Sequence, residues 1–279
     1  MTRLGGALVV LLLLSVVPAP TYAQAVAAAP APQLTVEQMK TFLKNAKVVR
    51  SRTTSKGVTA PKRLTLTDGT ITHDAVFQAV DEKQMVAKLN GRGRGETTEL
   101  NFVDSYRYNL AAYAVAGLLG LDHMMPVYVE RRWSGQIGSI SWFVPSIMDE
   151  SERLKNKVQP PNPTDWNHQM YRMRVFTALT RDTDRNLTNV LISPDWKVVM
   201  IDFSRAFRLQ PELMYGKDLG RIDRKLMAKL EALDRDEVKK TVGDWLTSGE
   251  MDAMMKRRDL LVAHFKKLIA DVGEDKVLY

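Results

Sequence analysis

The sequence predicts a two-lobed α+β fold, with a small sheet-rich lobe followed by a larger helical one. Two hairpin signals flank one helical pattern between residues 63 and 144, and helical periodicity dominates after Pro145. The composition agrees: 45% of the 279 residues are hydrophobic and 26% are charged, the balance of a chain with ample core and no need of a staple. Cysteine is missing from the sequence, which excludes thiol catalysis, disulfides and Cys-based zinc sites, and four scattered histidines offer no metal-ligand spacing.

The elements follow in order. Arg3, an apolar run over residues 7–17 and the small-residue stretch ending at Ala23 read as a signal peptide over residues 1–23, because the run is too short to span a bilayer. Export to the periplasm or medium is therefore expected, with no stable membrane span after cleavage. Loss of Arg3 leaves a formal charge one unit below +8; the basic residues are interspersed with acids, so no nucleic-acid partner is expected. Residues 24–33 form an Ala/Pro-rich tether. A helix is expected within 34–50, where Thr35 and Gln38 fit a capping box and Met39, Phe42, Leu43 and Ala46 share a face.

The small lobe is placed at 51–148. Residues 63–67 and 70–80 flank Asp68-Gly69, and residues 127–133 and 136–144 flank Ser134-Gly135, each a tight-turn pair between strand patterns. Between the hairpins Ser105 caps a helix with Leu110, Tyr113, Ala114, Gly117, Leu118 and Leu121 along one stripe. The Gly91-Arg92-Gly93-Arg94-Gly95 run lacks the context of a phosphate loop and reads as a solvated basic loop. The large lobe is placed at 149–279. Its helical faces carry Trp166, Met170 and Phe176, then Leu226, Leu230 and Val238, and then Met251, Met254 and Phe265 behind a Thr247/Glu250 capping box.

The chemistry concentrates between Asp182 and Phe207. Asp184 and Asn189 lie five residues apart on a polar loop; a short apolar strand, a turn and a second apolar strand then deliver Asp202 thirteen residues after Asn189. This is the spacing of a phosphotransferase site. Asn189 and Asp202 supply the hard oxygens that Mg²⁺ or Mn²⁺ prefers on the phosphates of ATP or another nucleotide, and Asp184 is placed to orient or deprotonate an acceptor hydroxyl. Arg185 and Arg205 read as structural, pairing with loop carboxylates.

Several segments together resemble the atypical branch of the protein-kinase-like superfamily: residues 66–70 with 74–77, 111–113 with 118–121, 125–127, 182–189 and 201–207. The likeness is to phosphoinositide lipid kinases, HipA-type kinases and secretory-pathway Golgi casein kinases, and most of all to exported bacterial kinase-like proteins. It implies a kinase-like α+β fold, with Asp184 as the catalytic-loop aspartate and Asn189 and Asp202 as metal ligands. In the resembled proteins a strand lysine that contacts phosphate stands where this chain has Gln78, its glutamate partner stands at Asn109, and Ser204 replaces the glycine after the Asp-Phe pair. Lys62 and Lys83 are the candidates for a relocated phosphate-contacting cation. The expected function is an exported phosphotransferase acting on a hydroxyl-bearing acceptor; the alternative is a catalytically impaired pseudokinase that binds a ligand or protein.

Overall fold

The computed structural model describes residues 34–53, 61–91, 95–214 and 216–279. The expected signal peptide and tether lie outside the described residues, as do residues 92–94 of the basic run.

Helix α1 (Val36–Asn45) opens on the Thr35/Gln38 capping box, with both reciprocal hydrogen bonds present. It ends at Asn45, short of the expected stretch, and the chain passes directly into strand β1 (Lys47–Thr53). Strands β2 (Lys62–Thr67) and β3 (Thr72–Gln78) form the hairpin around Asp68-Gly69, where Gly69 takes a φ of +93°. Then comes an element without a period-2 signature: a two-stranded arm of β4 (Asp81–Gly91) and β5 (Gly95–Ser105), paired from Asp81↔Ser105 out to Gly91↔Gly95. Gly91 and Gly95, the two ends of the basic run, make the last pair of this arm. Helix α2 (Tyr106–Leu119) starts at the Ser105 cap and stops at Gly120, whose left-handed φ of +69° closes its carboxyl end. Strands β6 (Tyr128–Trp133) and β7 (Gln136–Trp142) complete an antiparallel sheet of order β1-β2-β3-β7-β6.

One face of that sheet is covered by α1. Phe42, Leu43 and Ala46 pack with Leu64, Leu66, Phe77 and Ile140, and Arg131 donates to the carbonyls of Leu43 and Ala46 at 2.8 Å each, receiving the open end of the helix.

After Pro145 the chain enters the large lobe through β8 (Met148–Asp149) and α3 (Glu150–Lys155), whose capping box joins Asp149 and Glu152. Helix α4 (Pro163–Thr180) uses Asn162 as its cap and Pro163 at its first position, so the Pro-rich stretch starts a helix. Strands β9 (Val190–Ile192) and β10 (Val198–Met200) follow as the expected short apolar pair, with β8 on the far edge of β9. Helices α5 (Arg224–Ala232), α6 (Arg235–Val242), α7 (Ser248–Val272) and α8 (Glu274–Val277) close the lobe, and α7 opens on the Thr247/Glu250 capping box.

Helix α2 is hydrophobic nearly all round. Leu110, Ala112, Val115, Ala116 and Leu119 belong to the same core cluster as Phe176, Leu179, Phe203 and Met254, while Tyr113 touches both this cluster and the sheet core. Read with the small lobe in sequence, α2 is thus anchored mainly in the large one. It holds the residues at its amino-terminal end over the segment that follows β10.

Candidate active site

The β9–β10 hairpin brings the two proposed metal ligands together. Asn189 precedes β9, Asp202 follows β10, and the Ile201 N–H donates to the Asn189 carbonyl at 3.1 Å. Thirteen residues of sequence separation thereby close to neighbouring backbone positions. Val190, Ile192, Val198 and Met200 are buried, and this core contact sets the hairpin's position.

Arg185 fixes the loop to the hairpin. Its guanidinium donates to the carbonyls of Asn189 (3.0 Å), Ile201 (2.6 Å) and Asp202 (3.1 Å), pairs with the buried Asp182 carboxylate at 2.5 Å, and lies 4.0 Å from the centroid of the Phe203 ring. Its partner is therefore Asp182 and not its neighbour Asp184. Asp184 is left with a partly exposed carboxylate, which among the described residues accepts only a long contact from Asn186 Nδ2 at 3.4 Å. Asn189 Nδ2 donates to the Asp184 carbonyl at 3.2 Å, so the side-chain oxygen of Asn189 faces away from that bond with no hydrogen bond of its own among the described residues. Asp202 takes a φ of +56°, a left-handed conformation that costs an L-residue about 1–2 kcal/mol. Neither Asp184 nor Asp202 has an ion pair among the described residues.

The side-chain contact between β3 and α2 is neutral. Asn109 Nδ2 donates to Gln78 Oε1 at 2.8 Å, and Asn109 Oδ1 accepts from the Phe203 N–H at 2.7 Å. Ser139 on β7 lies at the edge of this network, 3.5 Å from Asn109 Nδ2. The approach of β3 to β7 requires Gly138: a Cβ there would sit 2.4 Å from the Gln78 carbonyl oxygen. Tyr128 is buried beside Asp202 and Ser141, and burial, with the Asp202 charge, pushes its phenol well above the usual range.

The sequence reading missed one acidic group. Asp104, near the end of β5, is 7% exposed, and its Oδ1 is buried without a hydrogen-bond partner among the described residues. Burial, followed by the charges of Asp202 and Glu82, pushes its carboxyl up to about 6 against the pull of Ser204 and Arg205. Arg205 also lies over the Phe102 ring at 5.0 Å. No local signal marks Asp104 as buried; the backbone next to it meets a segment 99 residues away, where the Ser105 N–H donates to the Ser204 carbonyl at 2.8 Å.

The two lysines stand apart from this constellation. Lys62 Nζ donates to Thr53 at 2.9 Å across the β1–β2 pair. Lys83 is exposed on the arm, where it lines a small pocket with Asp81, Ser105, Arg107 and Glu250. Neither bonds Gln78, Asn109, Asp184, Asn189 or Asp202 among the described residues.

The donor set suits a hard divalent cation. It offers an amide oxygen without a hydrogen bond and two carboxylates without ion pairs, and a third carboxylate oxygen is buried nearby without a partner. No group of three or more His, Asp or Glu side chains among the described residues forms a metal cage, so a bound cation needs Asn189 and the oxygens of its own ligand as well.

A small antiparallel sheet followed by a helical lobe, with Asn189 and Asp202 at the two ends of the β9–β10 hairpin, is the layout of a kinase-like fold. No family profile matches the sequence, and no curated protein matches it. Solved structures do match. The chain is similar to a hydra Fam20 structure with sugar, at 14% identity and a TM-score of 0.64, over 88% of this chain and 92% of that one. It is similar to the Golgi casein kinase with Mn/ADP bound, at 12% identity and a TM-score of 0.60, over 87% of this chain and 78% of that one. The chain therefore has the mixed α+β kinase-like fold of these structures.

Proposed function

We propose that the chain is an exported phosphotransferase that binds a Mg²⁺- or Mn²⁺-nucleotide between its lobes and passes a phosphoryl group to a hydroxyl acceptor. The observation that carries this reading is the Arg185 bracket: one guanidinium bonds the carbonyls of Asn189, Ile201 and Asp202 and pairs with Asp182, tying the loop that carries Asp184 to both ends of the hairpin. Mn/ADP in the similar Golgi casein kinase structure supports the same ligand class here. Residues 1–23 support export, and protein recovered from an exporting host is expected to begin at or near Gln24.

In the reaction, an acceptor oxygen attacks the terminal phosphorus and the bond to the bridging oxygen of the nucleotide breaks, leaving the nucleoside diphosphate. The partly exposed Asp184 carboxylate, without an ion pair among the described residues, takes the acceptor's proton. Asn189 and Asp202 would hold a divalent ion, which when bound neutralises charge on the phosphates. Asn109 holds the Phe203 N–H and so keeps the Asp202 segment under α2. Single-turnover transfer from Mn-ATP, with the chain itself and small hydroxyl compounds as acceptors, tests the reading. Transfer that vanishes in Asp184→Asn while binding persists supports it; an inert wild type that binds nucleotide supports the second reading instead.

That second reading is a pseudokinase, and one observation favours it. The Gln78–Asn109 pair is neutral and satisfied, so it offers no charge-assisted contact to phosphate.

A further inference from the structure

We propose that Gln78 is a positioning residue for the Asp202 carboxylate, acting through the side-chain amide of Asn109. The inference rests on the reading of Asp202 as a metal ligand. Asp202 sits at a φ of +56°, a conformation an aspartate keeps only where its neighbours hold it. The peptide unit that joins it to Phe203 is held at both ends. The Asp202 carbonyl accepts from Arg185 Nη2 at 3.1 Å, and the Phe203 N–H donates to Asn109 Oδ1 at 2.7 Å. The Ile201 carbonyl accepts from Arg185 Nη1 at 2.6 Å, and the buried Phe203 ring meets both that guanidinium and the Phe176 ring. The carbonyl end of the clamp thus comes from the loop that carries Asp184. Its N–H end comes from α2, and it depends on which way the Asn109 amide is turned.

An asparagine amide has nearly the same shape in its two orientations, and only one of them offers an oxygen to the Phe203 N–H. Turned over, Asn109 would set Nδ2 against that donor. Gln78 decides between the two, because its Oε1 accepts from Asn109 Nδ2 at 2.8 Å and the turned-over amide has no donor for that oxygen. Asn109 is 1% exposed, which shields the choice from solvent. Ser139 Oγ stands 3.5 Å from the same Nδ2, too far for a strong bond. Gln78 itself is the last residue of β3, set opposite Ser139 in the sheet, with Gly138 packed closely on its carbonyl. An orientation fixed in the small lobe is passed in this way through α2 to the residue read as a metal ligand in the large one.

The test is Mn²⁺ titration of the full chain with ADP present, followed by the free-ion EPR signal. Gln78→Met keeps the length of the side chain and removes the acceptor, and it is expected to weaken Mn²⁺ binding about tenfold. Gln78→Met combined with Asn109→Ala is expected to bind no worse than Asn109→Ala alone, because Gln78 acts only through Asn109. Hydrogen exchange on the ligand-free protein separates this role from a direct contact with nucleotide. There Gln78→Met should speed exchange at the Phe203 amide about tenfold while leaving α4 unchanged. Gln78→Glu keeps the acceptor and is expected to exchange at Phe203 within about threefold of wild type. An unchanged Gln78→Met in either readout, a Gln78→Glu that exchanges as fast as Gln78→Met, or a double variant weaker than Asn109→Ala alone would each overturn the proposal. A wild type that fails to bind Mn²⁺ with ADP sinks the metal reading itself, and this proposal with it.

Discussion

Asn109 and Gln78 hold each other between α2 and β3 by a 2.8 Å hydrogen bond, amide to amide, in the place where the resembled kinases put a salt bridge. The geometry of a strand-to-helix contact is kept while both charges are gone. Asn109 also carries the Phe203 N–H, so the pair is one end of a chain of bonds running to Asp202.

Restoring the charges is expected to restore a phosphate contact. Gln78→Lys with Asn109→Glu should tighten Mg-nucleotide binding about tenfold, since a charge-assisted hydrogen bond contributes roughly 1.5–3 kcal/mol. Gln78→Lys alone should gain less, because its ammonium would meet the Asn109 amide nitrogen. Isothermal titration of the three proteins decides it; equal affinities would show that phosphate does not lie over Gln78.

Asn109→Ala should destabilise the fold even without ligand. It leaves the Phe203 N–H buried with no acceptor, at a cost of about 1–3 kcal/mol. Urea unfolding that gives a wild-type midpoint would contradict this.

Arg185→Ala should cost more, about 3–5 kcal/mol, because Asp182 is then left as an unpaired buried charge and three carbonyls lose their donor. Arg185→Lys should repair little of it, as one ammonium cannot span the same positions. A lysine variant as stable as wild type would remove Arg185 from its bracketing role.

The histidine on β3 gives a pH signature. His73 stacks on Trp142 with centroids 3.7 Å apart and bonds the Phe143 carbonyl, and burial holds its ring below the usual histidine range. Below that range the unfolded chain binds a proton that the folded chain resists, so His73 lowers stability as pH falls and stops doing so as pH rises past the unfolded value. His73→Phe should therefore flatten part of the loss of stability between neutral and mildly acidic pH, measured by thermal melts. An unaltered pH slope would contradict the assignment.

Much of this architecture was legible because it is local. Thr35 with Gln38, Thr247 with Glu250, Ser105 before α2, and the turn pairs at Asp68-Gly69 and Ser134-Gly135 all announce their elements within a few residues, and all form as read. The 182–207 segment was legible for the same reason, since spacing alone places Asn189 and Asp202 at the two ends of a hairpin. The arm was not: residues 81–86 of β4 are exposed on both faces, Met85 and Val86 included, so that stretch writes no alternating pattern. Strand β1 was hidden likewise, an edge strand exposed along nearly its whole length. Asp104 was invisible because a buried acid near the end of a strand reads like any surface acid until the chain after Asp202 packs against that strand end.

The central claim is that Asn189 and Asp202 hold a divalent cation on a nucleotide between the lobes. The most direct measurement is the thermal shift given by ATP with Mn²⁺ or Mg²⁺, compared with ATP or metal alone, in wild type and three variants. The account predicts stabilisation of wild type only when metal and nucleotide are both present, its loss in Asn189→Ala and Asp202→Ala, and its retention in Asp184→Ala, whose carboxylate serves the acceptor. No metal-dependent shift in wild type, or the same shift in all three variants, would contradict it.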